Sequence, residues 1–199
     1  MVKVFIPIHG ISNVCVSRVV INPHNRAEDL RYLAKCRGCI EEVLIDTGVH
    51  KLFHKLNVRD YPPWYISQYV SFVKEVVLRF SNVRIYYVIP DIPVDYDGRE
   101  GLYPWNVERT VEYITLFRDK YIDGLKPAVP IAVVQGKKDD VRSVINTYFK
   151  YEDLYNEFDV VGIGPTCTTK NWRKLALLLL ACERHIPRPF HSFGAHLAA

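Results

Sequence analysis

Short apolar runs that stop abruptly on a polar residue or a glycine recur along this chain. Val43-Leu44-Ile45 ends in Asp46-Thr47-Gly48, Val88-Ile89-Pro90 in Asp91, Val133-Val134 in Gln135-Gly136, and Val161-Gly162-Ile163 in Gly164. Parallel strands covered on both faces read as such runs, and in α/β folds chemistry collects just past their C-terminal ends. The four endings point to one shared site.

Between these runs the apolar spacing changes to that of helices. Pro63–Phe80 carries Ile66, Tyr69, Val70, Val73, Val76 and Val77 at the spacing of a core-facing stripe. The same reading predicts helices over 27–36 (Asn25 as N-cap), 106–121, 139–149 and 171–183. Strands are predicted over 3–8, 18–22, 41–46, 83–90, 130–135, 159–163 and 190–193, and a polar loop over 91–104. The βα rhythm implies parallel strands joined by right-handed crossovers. An open doubly wound sheet is disfavoured, because no G-x-G-x-x-G follows the first strand. The expectation is α/β: a TIM-type (β/α)8-like barrel, incomplete at about seven strands, in a single domain over residues 1–199.

Composition changes this picture little. An apolar share of 49% and a charged share of 24% suit an ordinary globular chain, and the net charge of +4 is mild. The longest apolar run, Leu175–Cys182, is too short to span a bilayer, so no membrane association is expected. The five cysteines (15, 36, 39, 167 and 182) form no disulfide-like framework, and no signal peptide precedes them. A reducing, cytoplasmic location is expected.

Asp46, at a strand end before a glycine, can be a general base, a nucleophile or a base-edge acceptor, and equally a turn aspartate. Asp91 is flanked by Pro90 and Pro93, which fix its direction, while Asp95 and Asp97 read as a solvated acidic loop. Gln135 ends an otherwise apolar strand, where an amide needs a partner, either a nucleobase edge or a loop backbone. His50 and His54 can share a helix face beside Asp46, and His50, Lys51 and Lys55 are candidates for phosphate contact. Cys36-Arg37-Gly38-Cys39 and Cys182-Glu183-Arg184-His185 have zinc-ligand spacing, with His191 nearby. Buried or incidental cysteines are the weightier reading, so the expectation is no metal and no cofactor, with zinc as the alternative. Trp64, Tyr65, Trp105 and Trp172 read as core or helix-start aromatics, one of which can stack on a base.

The order of these motifs resembles the tRNA-guanine transglycosylase superfamily, closest to the branch proposed to insert 7-deazaguanine bases into DNA. The residues that carry the resemblance are Asp46-Thr47-Gly48, Val88-Ile89-Pro90-Asp91, Val133-Val134-Gln135-Gly136, Gly162-Ile163-Gly164 and His191-Ser192-Phe193-Gly194. Phe5-Ile6-Pro7-Ile8-His9-Gly10 and Val20-Ile21-Asn22 resemble that family's first two strands. The resemblance implies base exchange at C1′ of a nucleotide in DNA, or less readily in tRNA, with the target base turned out of its stack. It implies Asp46 as acid/base and Asp91 with Gln135 on the Watson–Crick edge of a guanine-like base. Gly136 and Gly164 would complete the pocket.

Three departures stand beside it. The family's nucleophilic aspartate, on an eighth strand, has no counterpart here, so exchange requires Asp46 or Asp91 as the catalytic nucleophile or a partner chain that supplies the strand; Pro165 replaces the second glycine of the usual Gly-Gly turn; and the family's C-terminal zinc motif is unmatched. A missing strand leaves an open barrel edge for a second copy or a partner chain to cover. Two further readings stay open: a degenerate barrel that binds a nucleobase or nucleic acid without catalysis, alone or as a subunit of a larger complex, and an unrelated barrel enzyme acting on a small metabolite.

Overall fold

The computed structural model describes residues 5–8, 14–94, 102–167, 169 and 171–193. The fold is α/β, of the incomplete TIM-like type. Among the described residues, seven strands follow in the order β1 (Ile6–Pro7), β2 (Arg18–Ile21), β3 (Glu42–Ile45), β4 (Arg84–Val88), β5 (Val129–Val134), β6 (Val160–Ile163) and β7 (Phe190–Ser192). The helices are α1 (Arg26–Lys35), α2 (Val49–Leu56), α3 (Pro63–Arg79), α4 (Trp105–Lys120), α5 (Val141–Lys150), α6 (Glu152–Tyr155) and α7 (Trp172–His185). All seven strands lie where the apolar runs place them. The chain divides into two compact units, Met1–Val88 with Asp119–Val129, and Ile89–Arg118 with Pro130–Ala199.

In the first unit β1 to β4 pair in parallel, each with the next. Every residue of β3 is buried, which is why Val43-Leu44-Ile45 lacks the alternation of a half-exposed strand. Arg18 lies opposite Glu42 in the β2–β3 register, and its Nε donates to the buried Glu42 carboxylate at 2.9 Å. That ion pair closes the N-terminal end of the strands, where side chains serve stability. Helix α3 buries Tyr65, Ile66, Tyr69, Val70, Phe72, Val73 and Val76. The stripe is therefore wider than predicted, and Val77 falls at its edge. Each fully buried side chain of this kind contributes roughly 1.5–3 kcal/mol.

In the second unit β5, β6 and β7 pair in parallel, with Val134 beside Ile163 and Gly162 beside His191. Helix α5 is capped by the Asp140 carboxylate, which accepts from Ser143 N, and α7 by Asn171, whose Oδ1 accepts from Arg173 N and Lys174 N.

Two local expectations are corrected. Asn25 gives α1 no side-chain cap: a 3₁₀ turn over Pro23–Asn25 precedes the helix, and it is Asn22 Oδ1 that accepts from His24 N. The Asn25 side chain instead accepts from Lys51 Nζ at 3.3 Å. Trp64, Trp105 and Trp172 start helices as expected but lie largely exposed, whereas Tyr65 is buried. Asp95, Asp97, His9, Gly10 and Gly194 lie outside the described residues. Among the described residues no helix is long and apolar enough to cross a membrane.

Candidate functional site

In the first unit, the turn after β3 carries Asp46. Gly48 N donates to its Oδ1 at 2.5 Å, so Asp46 makes an Asx turn into α2. Gly48 has φ +67°, and a β-carbon there would fall 2.5 Å from the His24 ring, so both backbone and space call for glycine. Burial pushes the Asp46 carboxyl above its ordinary range, opposed by the Gly48 N–H and by the nearby His50 and His24 rings.

His24 Nε2 lies 3.0 Å from Gly48 O and 3.2 Å from the Tyr65 hydroxyl. Tyr65 donates its single proton to Thr47 O at 2.5 Å, so both neighbours of His24 Nε2 are acceptors and that nitrogen carries the proton. Burial lowers the His24 pKa against the pull of Gly48 O, with Lys51 and Lys55 adding to the lowering. Burial, with the Asp46 charge behind it, raises that of Tyr65. The result is a carboxyl and a phenol whose pKa values are raised and an imidazole whose pKa is lowered, a set suited to moving one proton.

Helix α2 follows directly. It buries Val49, Leu52 and Phe53 and exposes His50, Lys51, His54 and Lys55, so the two histidines share a solvent-facing side as expected. The candidate phosphate contacts thus lie on the element that Asp46 opens.

Strand-end carbonyls in this unit are taken up by tyrosines. Tyr69 Oη approaches Val88 O at 2.6 Å and Ile45 O at 3.1 Å, and Tyr65 serves Thr47 O.

In the second unit, Asp91 and Gln135 meet directly: Gln135 Nε2 donates to Asp91 Oδ2 at 2.5 Å, and both side chains are buried. Asp91 is held in place from its neighbours. Ile89 N donates to Ile131 O at 3.0 Å, Ile92 N to Thr110 Oγ1 at 2.9 Å, and Asn106 Nδ2 to Ile92 O at 3.4 Å. Gln135 and Gly164 are the next pair in the register that sets Val134 beside Ile163. A β-carbon at Gly164 would lie 2.5 Å from the Gln135 amide carbon, so the amide rests directly on glycine backbone. Gly136 packs closely against α5. A β-carbon there would meet Val144 Cγ2 at 2.7 Å and Ser143 Oγ at 2.9 Å, so glycine lets the end of β5 pack on α5. Tyr155 donates to Val133 O at 3.1 Å, and burial followed by the nearby Tyr151 and Asp91 charges raises its pKa.

His191 on β7 packs edge-on against Phe193, with ring centroids 4.7 Å apart, and Phe193 in turn fills the space that Gly162 leaves. Burial lowers the His191 pKa from 6.5 to about 4. The unfolded chain then binds a proton near pH 6.5 that the folded chain refuses until about pH 4, so stability falls as the pH drops through that window. We expect roughly 2–3 kcal/mol to be lost there, as read from urea unfolding at stepped pH, and most of that slope to vanish in His191→Gln.

Of the residues with zinc-ligand spacing, Cys182 is buried on the inner side of α7, where desolvation pushes its thiol up to about 12. His185, on the same helix, is exposed against Phe149. The two do not form a ligand pair. Among the described residues the group able to hold a metal is Cys15, Cys36 and Cys39, whose sulfurs lie within 4.8 Å of one another.

The partners His24, Thr110 and Asn106 were not evident in the sequence, and Tyr65 was read there only as a core, helix-start or base-stacking aromatic. Each reaches its site through a contact between elements distant in the chain, and no local pattern marks it. No protein-family model matches this chain, and no curated protein matches it.

Proposed function

We propose that this chain is a transglycosylase-like protein that exchanges a guanine or 7-deazaguanine base into nucleic acid, DNA in preference to tRNA. The observation that carries this reading is the buried Asp91–Gln135 pair, set at strand ends and backed by the bare backbone of Gly164. A carboxylate that accepts from N1–H and N2–H of guanine, beside an amide that donates to O6, matches that base edge and rejects adenine. A buried polar pair built for such an edge discriminates strongly, because the wrong base leaves it without its bonds.

In the exchange, the C1′–N bond to the outgoing base breaks and one to the incoming base forms. The proton that leaves the incoming ring nitrogen ends on the outgoing one. Asp46, with its raised pKa, is the group proposed to carry it. His50, Lys51 and Lys55 on the exposed side of α2 are proposed to hold backbone phosphates.

One observation favours binding without exchange: Asp91 is already engaged by Gln135, which suits a recognition residue better than a nucleophile. The test is incorporation of radiolabelled guanine and 7-deazaguanine into DNA and into tRNA, together with equilibrium binding of the free base. Incorporation by the wild type, with base binding lost in both Asp91→Asn and Gln135→Leu, is the expected outcome. Binding without incorporation selects the non-catalytic reading, and a wild type with neither sinks both.

A further inference from the structure

Three residues before the paired register of β2 and β3 begins at Arg18 and Glu42, Cys15 and Cys39 lie side by side with their Cα atoms 6.4 Å apart. Ser17 O accepts from Glu41 N at 2.8 Å and from Glu42 N at 3.0 Å, which holds the two strand entries together there. The crossover between these strands returns through α1, and Cys36 occupies its C-cap, with its N–H bonded to Tyr32 O at 2.9 Å. Tyr32 donates its hydroxyl to Val14 O at 2.7 Å, pinning the residue before Cys15 onto the same helix. Cys15 therefore converges with the Cys36–Cys39 pair, which lies more than twenty residues further along the chain. The three sulfurs lie within 4.8 Å of one another, with those of Cys15 and Cys39 in bonding contact.

We infer that Cys15, Cys36 and Cys39 form a thiolate site for a tetrahedral divalent metal, zinc by its chemistry. In a tetrahedral thiolate site with Zn–S near 2.3 Å, sulfurs stand roughly 3.8 Å apart, a spacing inside the 4.8 Å span of this cluster that Cys15 and Cys39 can take up only after their disulfide is reduced. Cys36-Arg37-Gly38-Cys39 supplies a two-residue chelate loop at a helix end, and Cys15 supplies the third ligand from the neighbouring strand entry. A fourth ligand, water or a further donor atom, completes the tetrahedron. The Cys15–Cys39 disulfide leaves Cys36 as a buried free thiol beside it, whereas a metal on the reduced cluster uses all three sulfurs. Cys15 and Cys39 are joined as a disulfide in the structure, and a thiol or phosphine reductant supplies the two electrons that cleave it to two thiols. Binding then replaces each S–H bond with a metal–sulfur bond and releases one proton per thiol.

The site lies at the N-terminal ends of β2 and β3, the opposite end from Asp46, so its work is structural: it ties the entry of β2 to the return of its own crossover. This inference does not rest on the base-exchange reading.

The test is cobalt titration of the full chain, freshly reduced with a phosphine. One cobalt per chain is expected, with thiolate-to-metal charge-transfer bands and the intense visible bands of tetrahedral geometry, displaced by zinc. Cys15→Ser, Cys36→Ser and Cys39→Ser should each weaken cobalt binding by more than ~100-fold, beyond what a change outside the ligand shell costs. Cys167→Ser should leave it unchanged. Zinc in large excess over its Kd should raise the wild-type Tm by roughly 5 °C or more, a readout that does not depend on any variant folding. Absence of the cobalt bands in the reduced wild type, or bands that survive in Cys15→Ser, would overturn the proposal. So would thiol trapping that finds Cys15 and Cys39 already linked in the protein as it leaves the cell.

Discussion

Asp46→Asn is expected to slow base exchange by about 10²–10⁴-fold, the range that a positioned proton carrier supplies, while leaving the folded chain at least as stable as before. The asparagine keeps the Oδ1 that accepts from Gly48 N, so the turn into α2 persists. The group lost is the ionisable one. Because the folded pKa lies above the ordinary 3.8, ionising Asp46 opposes folding, and stability drawn from this residue declines as the pH rises through that interval. Replacing it with a neutral amide removes that cost at neutral pH, and sites that sacrifice stability in this way are characteristic of function. Single-turnover exchange and the urea midpoint, measured on the same preparation, separate the roles. A fall in exchange with the midpoint held or raised identifies the proton carrier. Exchange that persists with a lowered midpoint would reduce Asp46 to a turn residue.

Gly164→Ala should cost roughly 3–5 kcal/mol of stability together with the capacity to bind a base. The added carbon falls within the Gln135 amide, 2.5 Å from its carbon and 2.6 Å from its oxygen, so either β6 shifts or the amide turns away from Asp91. Forcing a methyl group into a packed site costs about 1–3 kcal/mol, and a hydrogen bond to a charged group is worth about 1.5–3 kcal/mol. A double-mutant cycle isolates the cause. Once Gln135→Ala has emptied the space, Gly164→Ala should become markedly cheaper, with a coupling energy of about 1 kcal/mol or more. Additivity of the two changes would show that the methyl group disturbs something other than this amide.

The sequence was informative wherever burial is two-sided. Val43-Leu44-Ile45, Val88-Ile89 and Val161-Gly162-Ile163 are apolar because no face of these strands meets water, and Asp46, Asp91, Gln135 and Gly164 stand where those runs stop. Helix α2 was harder to see. It buries three residues in eight, and its His and Lys side chains look like a polar loop although Val49, Leu52 and Phe53 hold helical spacing. The third cysteine of the thiol cluster was invisible for a different reason. Cys15 has no motif around it and acquires a neighbour only through the β2–β3 register, which local spacing does not specify. The Asp46 surroundings show the same limit. His24 arrives from the turn after β2 and Tyr65 from the start of α3, and their roles follow from hydrogen-bond partners that only the folded chain supplies.

The tyrosines beneath the strand ends have an evolutionary consequence. Tyr65, Tyr69 and Tyr155 each reach a main-chain carbonyl close to the C-terminal end of a strand and occupy it from inside. The scaffold's own acceptors at those points are already spoken for, so what a visiting molecule meets is written in exchangeable side chains. Under the base-recognition reading proposed above, specificity can drift by substitution at Asp91 or Gln135 without renegotiating the backbone of that unit, and a protein engineer could retune it along the same route.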